Sequence, residues 1–274
     1  MTMYRGRKLP KGMKLLKPVR ASRGIEAEYR RALLDLIDEM HKSVNYWVEA
    51  AYKQNEPKIA VAFGADASPA NALRIVMARL VKRWESKFDE AAEKMAEHFA
   101  TAAEERSSAA LKKALKDGGW SVKFKMTPAQ RDIFASTVNQ NVALIKSIPQ
   151  KYLGDVEGLV QRSVQTGRDL QQLTEDLQKR YKVTRNRAEL IARDQNNKAT
   201  SAFERARQSE LGITEAIWVH SHAGKEPRPT HVKMDGKKYD VAKGMWDPAV
   251  REYIFPGQLI NCRCFSRSVI PGFN

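Results

Sequence analysis

Cysteines and long hydrophobic runs are scarce in this sequence, and each scarcity excludes a class of protein. Only Cys262 and Cys264 occur among the 274 residues, which excludes a disulfide scaffold and suits a reducing compartment or a metal site. No uncharged stretch approaches the roughly 18–20 apolar residues of a membrane span, so an integral membrane protein is excluded. The longest apolar run near the N-terminus is Leu15-Leu16, which predicts no signal peptide.

Acidic residues are missing from the first 23 positions, although the chain as a whole has 32 of them against 48 Lys and Arg, a net charge of +16. Such an excess favours polyanionic partners. Because the segment has little apolar surface to offset its ordering entropy, residues 1–24 are predicted to form a flexible basic arm. The arm is either a solvated tail or a non-specific, salt-sensitive contact to double-stranded DNA. The DNA-binding interpretation assigns the contact to Arg5, Arg7, Lys8, Lys11, Lys14, Lys17, Arg20 and Arg23.

Apolar residues recur at helical spacing from Ile25 to Ala51 and again after Ser68-Pro69, a pair typical of a helix start. Gly118-Gly119 ends the second run. Because neither apolar seam is stable in water, residues 25–126 are predicted to form a long helical hairpin or to pack on another subunit. Trp47 and Trp84 are interpreted as core residues. The second seam is predicted to contain Met77, Val81, Trp84, Phe88, Ala91, Met95, His98 and Ala102.

Residues 127–212 continue the helical pattern, and residues 213–274 depart from it. Thr127 to Gln130 form a capping box, Pro149 is expected to end that helix, and shorter helices are expected around 150–165, around 168–181 and after Thr184. Beyond Gly212 a strand at 216–220 and a hairpin turn at Asp235-Gly236 are predicted. The predicted fold is therefore mainly α with a small C-terminal α+β domain, which is too small to be held by apolar burial alone.

This small domain contains three of the five histidines and both cysteines. Thiolate and imidazole bind zinc, and a small irregular domain gains most from such a cross-link. His222, His231, Cys262 and Cys264 are the candidate ligands, with His220 and His222 expected on one face of a strand. However, Cys-x-Cys is not the usual spacing of a zinc knuckle. The alternatives are packed cysteines beside surface histidines, or a Cys–His catalytic pair for which no orienting group is identifiable.

Three segments occur in an order that resembles the phage Mu F-like head morphogenesis family of minor capsid proteins. They are Arg187–Asp194 (RAELIARD) with its continuation to Trp218, Pro227–Gly236 (PRPTHVKMDG) and Pro256–Cys264 (PGQLINCRC). The likeness covers about residues 130–270. Where this family has an acidic residue shortly after the tryptophan, this chain has Ser221-His222-Ala223-Gly224.

The resemblance implies a non-enzymatic structural role in the virion of a tailed phage. The expected protein is made in the host cytoplasm, lies inside the head near the portal, and contacts the portal, other head or scaffold proteins and the packaged DNA. Arg228, Asp235, Gly236, Asn261 and Arg263 are expected to shape the motif, with both arginines bracing nearby carbonyls or carboxylates.

Two other functions remain open from the sequence. The first is a metal-dependent nuclease or DNA-processing enzyme that uses the C-terminal His/Cys cluster, with His231 as base or ligand and Asn261 as an orienting group. It lacks a clear set of acidic metal ligands. The second is a generic helical nucleic-acid-binding module, which leaves the His/Cys cluster without a purpose.

Overall fold

The computed structural model describes residues 3–4, 7–8, 12–54, 69–166 and 170–271. Its helices are α1 (Arg23–Gln54), α2 (Pro69–Asp117), α3 (Pro128–Thr166), α4 (Leu170–Glu210) and α5 (Pro229–Met234). Its strands are β1 (Met3–Tyr4), β2 (Arg7–Lys8), β3 (Met13–Leu15), β4 (Glu215–Val219), β5 (Lys238–Asp240), β6 (Met245–Asp247), β7 (Glu252–Ile254) and β8 (Phe265–Pro271). The predicted fold class, mainly α with a small C-terminal α+β domain, is confirmed. Among these described helices, none has the length and apolar character that a bilayer crossing requires.

The chain divides into two compact units that interleave along the sequence. The first unit contains residues 1–27, 97–138 and 192–274, and the second contains residues 28–96 and 139–191. Each of the helices α1, α2, α3 and α4 supplies residues to both units.

The second unit has a core of helix-borne apolar side chains, including Leu33, Ile37 and Phe88, which are fully buried. Trp84 is buried, as predicted, but the prediction for Trp47 is wrong. Its side chain is 47% exposed and lies edge-to-face against Tyr46. The residue after it, Val48, lies in the buried apolar stripe of α1 instead, together with Ile37 and Tyr52.

The buried stripe of α2 departs from the predicted seam in its second half. Met77, Trp84 and Phe88 are buried as expected, after which the stripe moves by one residue to Ala92, Ala96, Phe99 and Ala103. The predicted seam used a repeat of 3.5 residues, whereas a straight helix has 3.6 residues per turn and drifts by about 20° in each heptad. His98 is therefore exposed rather than packed.

Two predicted helix boundaries are absent from the described part of α3 and α4. The start of α3 is confirmed, since the Gln130 amide donates to the Thr127 hydroxyl at 3.3 Å, but the helix continues through Pro149. The lost backbone donor is offset by buried neighbours such as Ile148 and Tyr152. Thr184 does not cap a new helix, because its hydroxyl donates to the Arg180 carbonyl within α4.

A four-stranded antiparallel sheet in the order β3-β8-β4-β5 organises the first unit. Strand β3 belongs to the segment predicted to be a flexible arm, and that prediction is wrong for residues 13–15, which pair with Val269 to Pro271. The backbone of β3 is ordered by these ladder hydrogen bonds. Directly after β3, Leu16 and Val19 are buried against Leu111 and Leu115.

Strand β4 separates two apolar layers of the first unit, because alternate side chains of a strand point to opposite faces. Ala216 and Trp218 pack in one cluster with Met234, Cys262 and Cys264. Ile217 and Val219 pack in another with Val269. The two cysteines therefore pack against the face of β4 that carries Trp218.

Glu204 of α4 supplies a testable property of this unit. Its side chain is buried and accepts a hydrogen bond from Gln208 Nε2 at 3.3 Å, and burial raises the pKa of its carboxyl well above the usual range. As pH rises above about 4.3, the unfolded chain releases this proton while the folded chain keeps it. Stability must then fall with increasing pH, by up to about 1.4 kcal/mol per unit, until the folded group ionises.

We expect Glu204→Gln to remove this alkaline-side loss of stability, because glutamine keeps an acceptor but does not titrate. The measurement is urea unfolding between pH 5 and pH 8. Glu105→Gln, which changes an exposed carboxylate of the same unit, is the control. Parallel pH dependences for Glu204→Gln and the unmodified chain would contradict the expectation.

Candidate metal centre

Three of the four predicted ligands converge in the core of the C-terminal domain. His231 lies on α5, and Cys262 and Cys264 lie just before β8. The Nδ1 atom of His231 is 3.4 Å from Cys262 Sγ and 3.7 Å from Cys264 Sγ, and the three donor atoms all lie within 4.8 Å of one another. All three side chains are buried. This is the only group of three or more His, Cys, Asp or Glu residues in the described ranges that could hold a metal ion.

The other ring nitrogen of His231 faces a carboxylate. Nε2 is 3.4 Å from Asp247 Oδ2 and makes no hydrogen bond with any described residue. Asp247 ends β6 and is fully buried, and its two carboxylate oxygens accept from the Thr230 hydroxyl at 3.2 Å and the Ala249 amide at 2.9 Å. A carboxylate behind a histidine is the usual device that orients the imidazole of a metal ligand.

The two thiols are unequal. A hydrogen bond from Cys264 lowers the pKa of Cys262, with a smaller contribution in the same direction from His231. The same contact, together with burial, raises the pKa of Cys264. Cys262 is therefore the thiol that loses its proton more readily, and a metal ion would displace the proton of each thiol that it binds, since thiolate is the ligand form of cysteine.

Helix α4 fixes the backbone that carries the cysteines. Asp194 is buried, and its carboxylate accepts from the Asn261 amide at 2.6 Å and from Lys198 Nζ at 2.7 Å. Arg193 Nε donates to Asn261 Oδ1 at 3.1 Å. These bonds hold Asn261 at φ +59°, a left-handed conformation that asparagine tolerates better than most residues.

Two further contacts fix the segment Pro256–Cys264. Arg228 Nη2 donates to the Ile260 carbonyl at 2.9 Å, and the Ser201 hydroxyl of α4 donates to the Pro256 carbonyl. Gly257 has φ +82°, and a Cβ there would lie 3.2 Å from the Ser201 side chain. Glycine is required at this position both by its conformation and by the close approach of α4.

His222 does not join the other three predicted ligands. Strand β4 ends at Val219, so His220 and His222 do not share a strand face, and His222 turns to φ +52°. Its Nε2 atom lies 3.4 Å from Asp235 Oδ2 on the exposed side of the domain. Asp235 and Gly236 also do not form the predicted hairpin turn, because they follow α5. They bond instead to β4 and to the residue that follows it: the Gly236 amide donates to the Trp218 carbonyl at 2.9 Å, and Asp235 Oδ1 accepts from the His220 amide at 2.9 Å.

Arg263, between the two cysteines, does not brace a carbonyl as predicted. Among the described residues it makes no hydrogen bond or ion pair, and it is half-buried beside a cavity of about 700 Å³. The three metal-ligand candidates line the same cavity, together with Arg193, Lys225, Arg228 and Glu226.

The cations predicted to bind DNA are only partly described. Arg5 and Lys11 lie outside the described residues, and so do the side chains of Arg7 and Lys8 in β2. Lys14 Nζ lies 3.5 Å from the Gly118 carbonyl, Lys17 pairs with Asp117 at 2.7 Å, and the Arg20 guanidinium lies 4.4 Å from the centre of the Phe265 ring. Arg23 is exposed at the start of α1.

Sequence reasoning missed two residues that support the site. The sequence around Asp247 contains no pattern that predicts a buried carboxylate beside His231. Asp194 belongs to the Arg187–Asp194 segment that resembles the family. However, a charged residue in an amphipathic helix is usually predicted to be exposed to solvent. Only the fold brings it to Asn261.

Comparison with known proteins finds one family whose model matches part of the chain. Residues 154–267 match the family described as "Phage Mu protein F like protein", which confirms the predicted resemblance. The matched range contains His231, both cysteines, Asp194 and Asp247.

A particular relative is a protein of Haemophilus influenzae (strain ATCC 51907 / DSM 11121 / KW20 / Rd) described as uncharacterized. It is 29% identical over 259 residues, which cover 93% of this chain and 55% of the relative. The chain thus spans about half the length of the curated relative that it matches. No solved structure matches the chain.

The contact between α4 and Asn261 yields a second prediction. We expect Asp194→Asn to destabilise the first unit by about 2 kcal/mol, because it removes a charge-assisted hydrogen bond and leaves Lys198 without its carboxylate. Denaturant unfolding measures the loss, and hydrogen exchange at the Asn261 amide locates it. Asp132→Asn, which alters an exposed acid of the same unit, is the matched control. Equal stability of the two variants would show that the contact is dispensable.

Proposed function

We propose that this protein is a minor head protein of a tailed phage that associates with the portal inside the head and contacts packaged DNA. Its role is to aid head assembly, DNA retention or DNA ejection. The observation that carries the proposal is the match of residues 154–267 to a family of phage head morphogenesis proteins. That range includes the contacts by which α4 holds the Pro256–Cys264 segment.

Exposed aromatic residues support a protein partner. Trp246 and Tyr253 lie on the β6–β7 hairpin, 48% and 45% exposed, with their rings 5.3 Å apart in an edge arrangement. Val250, in the turn between them, is also exposed. Paired aromatic side chains of this kind are enriched where proteins bind one another, so the hairpin is the surface that we assign to the portal or a neighbouring head protein.

The charge of the chain supports DNA as a second partner. A net charge of +16 attracts a polyanion without sequence preference, which suits a protein that neighbours packed DNA. Synthesis in the host cytoplasm followed by incorporation into the virion is part of this proposal.

The nuclease alternative receives less support. Mg²⁺ and Mn²⁺ prefer carboxylate and water oxygens. The single candidate metal group in the described ranges offers two sulfurs and one nitrogen instead. We therefore propose a structural, non-enzymatic role.

Particles test the assignment. We expect removal of the gene from a phage or prophage to impair head formation, DNA filling or the infectivity of the particles. A plasmid copy of the gene is expected to correct the defect. Electron microscopy, packaged-DNA content and plaque titre measure the three steps. Co-purification of tagged protein with the portal, lost in a Trp246→Ala, Tyr253→Ala double variant, tests the hairpin. Trp47→Ala, which alters another exposed aromatic, is the control. Full infectivity without the gene product would refute the role.

A salt titration tests the DNA contact. We expect Gln at Arg5, Arg7, Lys8 and Lys11 together to weaken binding to double-stranded DNA and to reduce the slope of log K against log salt by up to about 3.6, that is, about 0.9 for each phosphate contact. Fluorescence anisotropy at several salt concentrations measures both. The control replaces four exposed cations of α2 with Gln, namely Arg74, Arg79, Lys82 and Lys94. If the two quadruple variants lose the same slope, the contact is net charge and not the N-terminal segment.

A further inference from the structure

The spacing of the three buried donors fits one zinc ion. Zinc binds thiolate at about 2.3 Å and imidazole at about 2.0–2.1 Å in tetrahedral geometry, which places sulfur and nitrogen about 3.5 Å apart. The two sulfur–nitrogen distances at His231 are 3.4 Å and 3.7 Å. Asp247 Oδ2 lies 3.4 Å from the far nitrogen of the ring, on the side from which a carboxylate orients a metal-bound imidazole.

The described residues supply three donors, and a tetrahedral ion takes four. His222, the fourth ligand predicted from sequence, is turned to Asp235 and is 55% exposed. The cavity of about 700 Å³ is lined by His231, Cys262 and Cys264 together, so the space beside the donors is open to a ligand from outside the chain. Three protein ligands and an accessible fourth position are typical of zinc that binds an exogenous group.

The charge of the cavity wall decides what that group is. Two thiolates neutralise the charge of the zinc ion. The remaining charged residues of the cavity wall are one carboxylate, Glu226, and four cations, namely Arg193, Lys225, Arg228 and Arg263. Arg193 and Arg228 each use one donor in the bonds to Asn261 and Ile260, and a guanidinium has five. Arg263 is half-buried and has no partner among the described residues. A partly buried cation without a counter-ion favours an anion, and guanidinium groups match phosphate in shape.

We infer that His231, Cys262 and Cys264 bind one zinc ion, and that the cavity beside it holds a phosphate group at the fourth position, secured by Arg263. The phosphate is either the free ion or the terminal phosphate of a nucleic acid. This inference concerns the purified chain and is independent of the role in the phage head.

Metal content is the first test. Full-length protein purified without chelators is expected to contain about one equivalent of zinc, and both thiols are expected to resist alkylation until the metal is removed. Replacement of zinc by Co²⁺ is expected to give thiolate-to-cobalt absorption and the intense d–d bands of a four-coordinate ion. Because this spectrum reports the ligands in the unmodified chain, the test does not depend on ligand variants, which could fail to fold. Asp247→Asn is expected to lower zinc affinity by about 10–100-fold while keeping the cobalt spectrum. Folded protein that binds neither metal overturns the inference.

Phosphate is the second test, on the cobalt-substituted protein. Inorganic phosphate is expected to shift the d–d bands saturably, and Arg263→Gln to weaken its binding about tenfold by removal of a charged hydrogen bond. Lys233→Gln, which removes an exposed cation of α5 outside the cavity wall, is the matched control and is expected to change nothing. Bands that ignore phosphate, or equal effects of the two variants, overturn the phosphate assignment.

Oligonucleotides separate the two sources of phosphate. A short duplex with 5′-phosphate ends that shifts the bands, beside a 5′-hydroxyl duplex that does not, identifies a nucleic-acid terminus as the ligand. Shifts by inorganic phosphate alone identify the free ion. Particles that lack the protein and remain infectious would refute the head role without touching these results.

Discussion

The candidate metal centre depends on one buried carboxylate. Asp194 belongs to a helix, and the cysteines belong to a turn-rich segment that reaches it almost 70 residues later; the carboxylate accepts the Asn261 amide across 67 positions. That bond and the Arg193 contact support the left-handed backbone of Asn261, the residue directly before Cys262. The resemblance of the Arg187–Asp194 and Pro256–Cys264 segments to one family thus has a physical basis, because the two segments form a single contact.

Part of this arrangement was predictable from the sequence. His231 and the cysteines were identified because imidazole and thiolate in a small, irregular domain indicate a metal ligand set. His222 was included on the assumption that the strand continued through it. The chain leaves β4 at Val219, and the backbone amide of His220 bonds to Asp235. Such a turn depends on a partner 15 residues away, which local pattern does not reveal.

The helices show the same division between local and long-range information. The helical spacing of apolar residues predicted that the helices exist, and the capping box at Thr127 to Gln130 predicted the start of α3. Their continuity was not predicted, since Pro149 and Thr184 carry the ordinary signals of a boundary. At both places the packing of neighbouring side chains outweighs the local signal, as the burial of Ile148 and Tyr152 illustrates.

Charge counting was the least informative guide to the N-terminal segment. The excess of lysine and arginine predicted a flexible segment, yet residues 13–15 pair with β8 and two of the nearby cations contact other parts of the fold. Lys17 pairs with Asp117, and Arg20 lies over the Phe265 ring. A cation-rich stretch can therefore be a sheet edge whose long side chains cover the elements beneath it.

The pairing of β3 with β8 has a consequence for synthesis on the ribosome. Arg267 of β8 donates to the Leu16 carbonyl across 251 positions of the chain. Strand β3 is synthesised long before β8 and therefore stays unpaired until β8 has emerged from the ribosome. Closure of so long a loop is slow, and an open strand edge invites association with other chains in the meantime. Nascent chains on one polysome are close together, and charged side chains at a strand edge, such as Lys14 of β3, oppose this association.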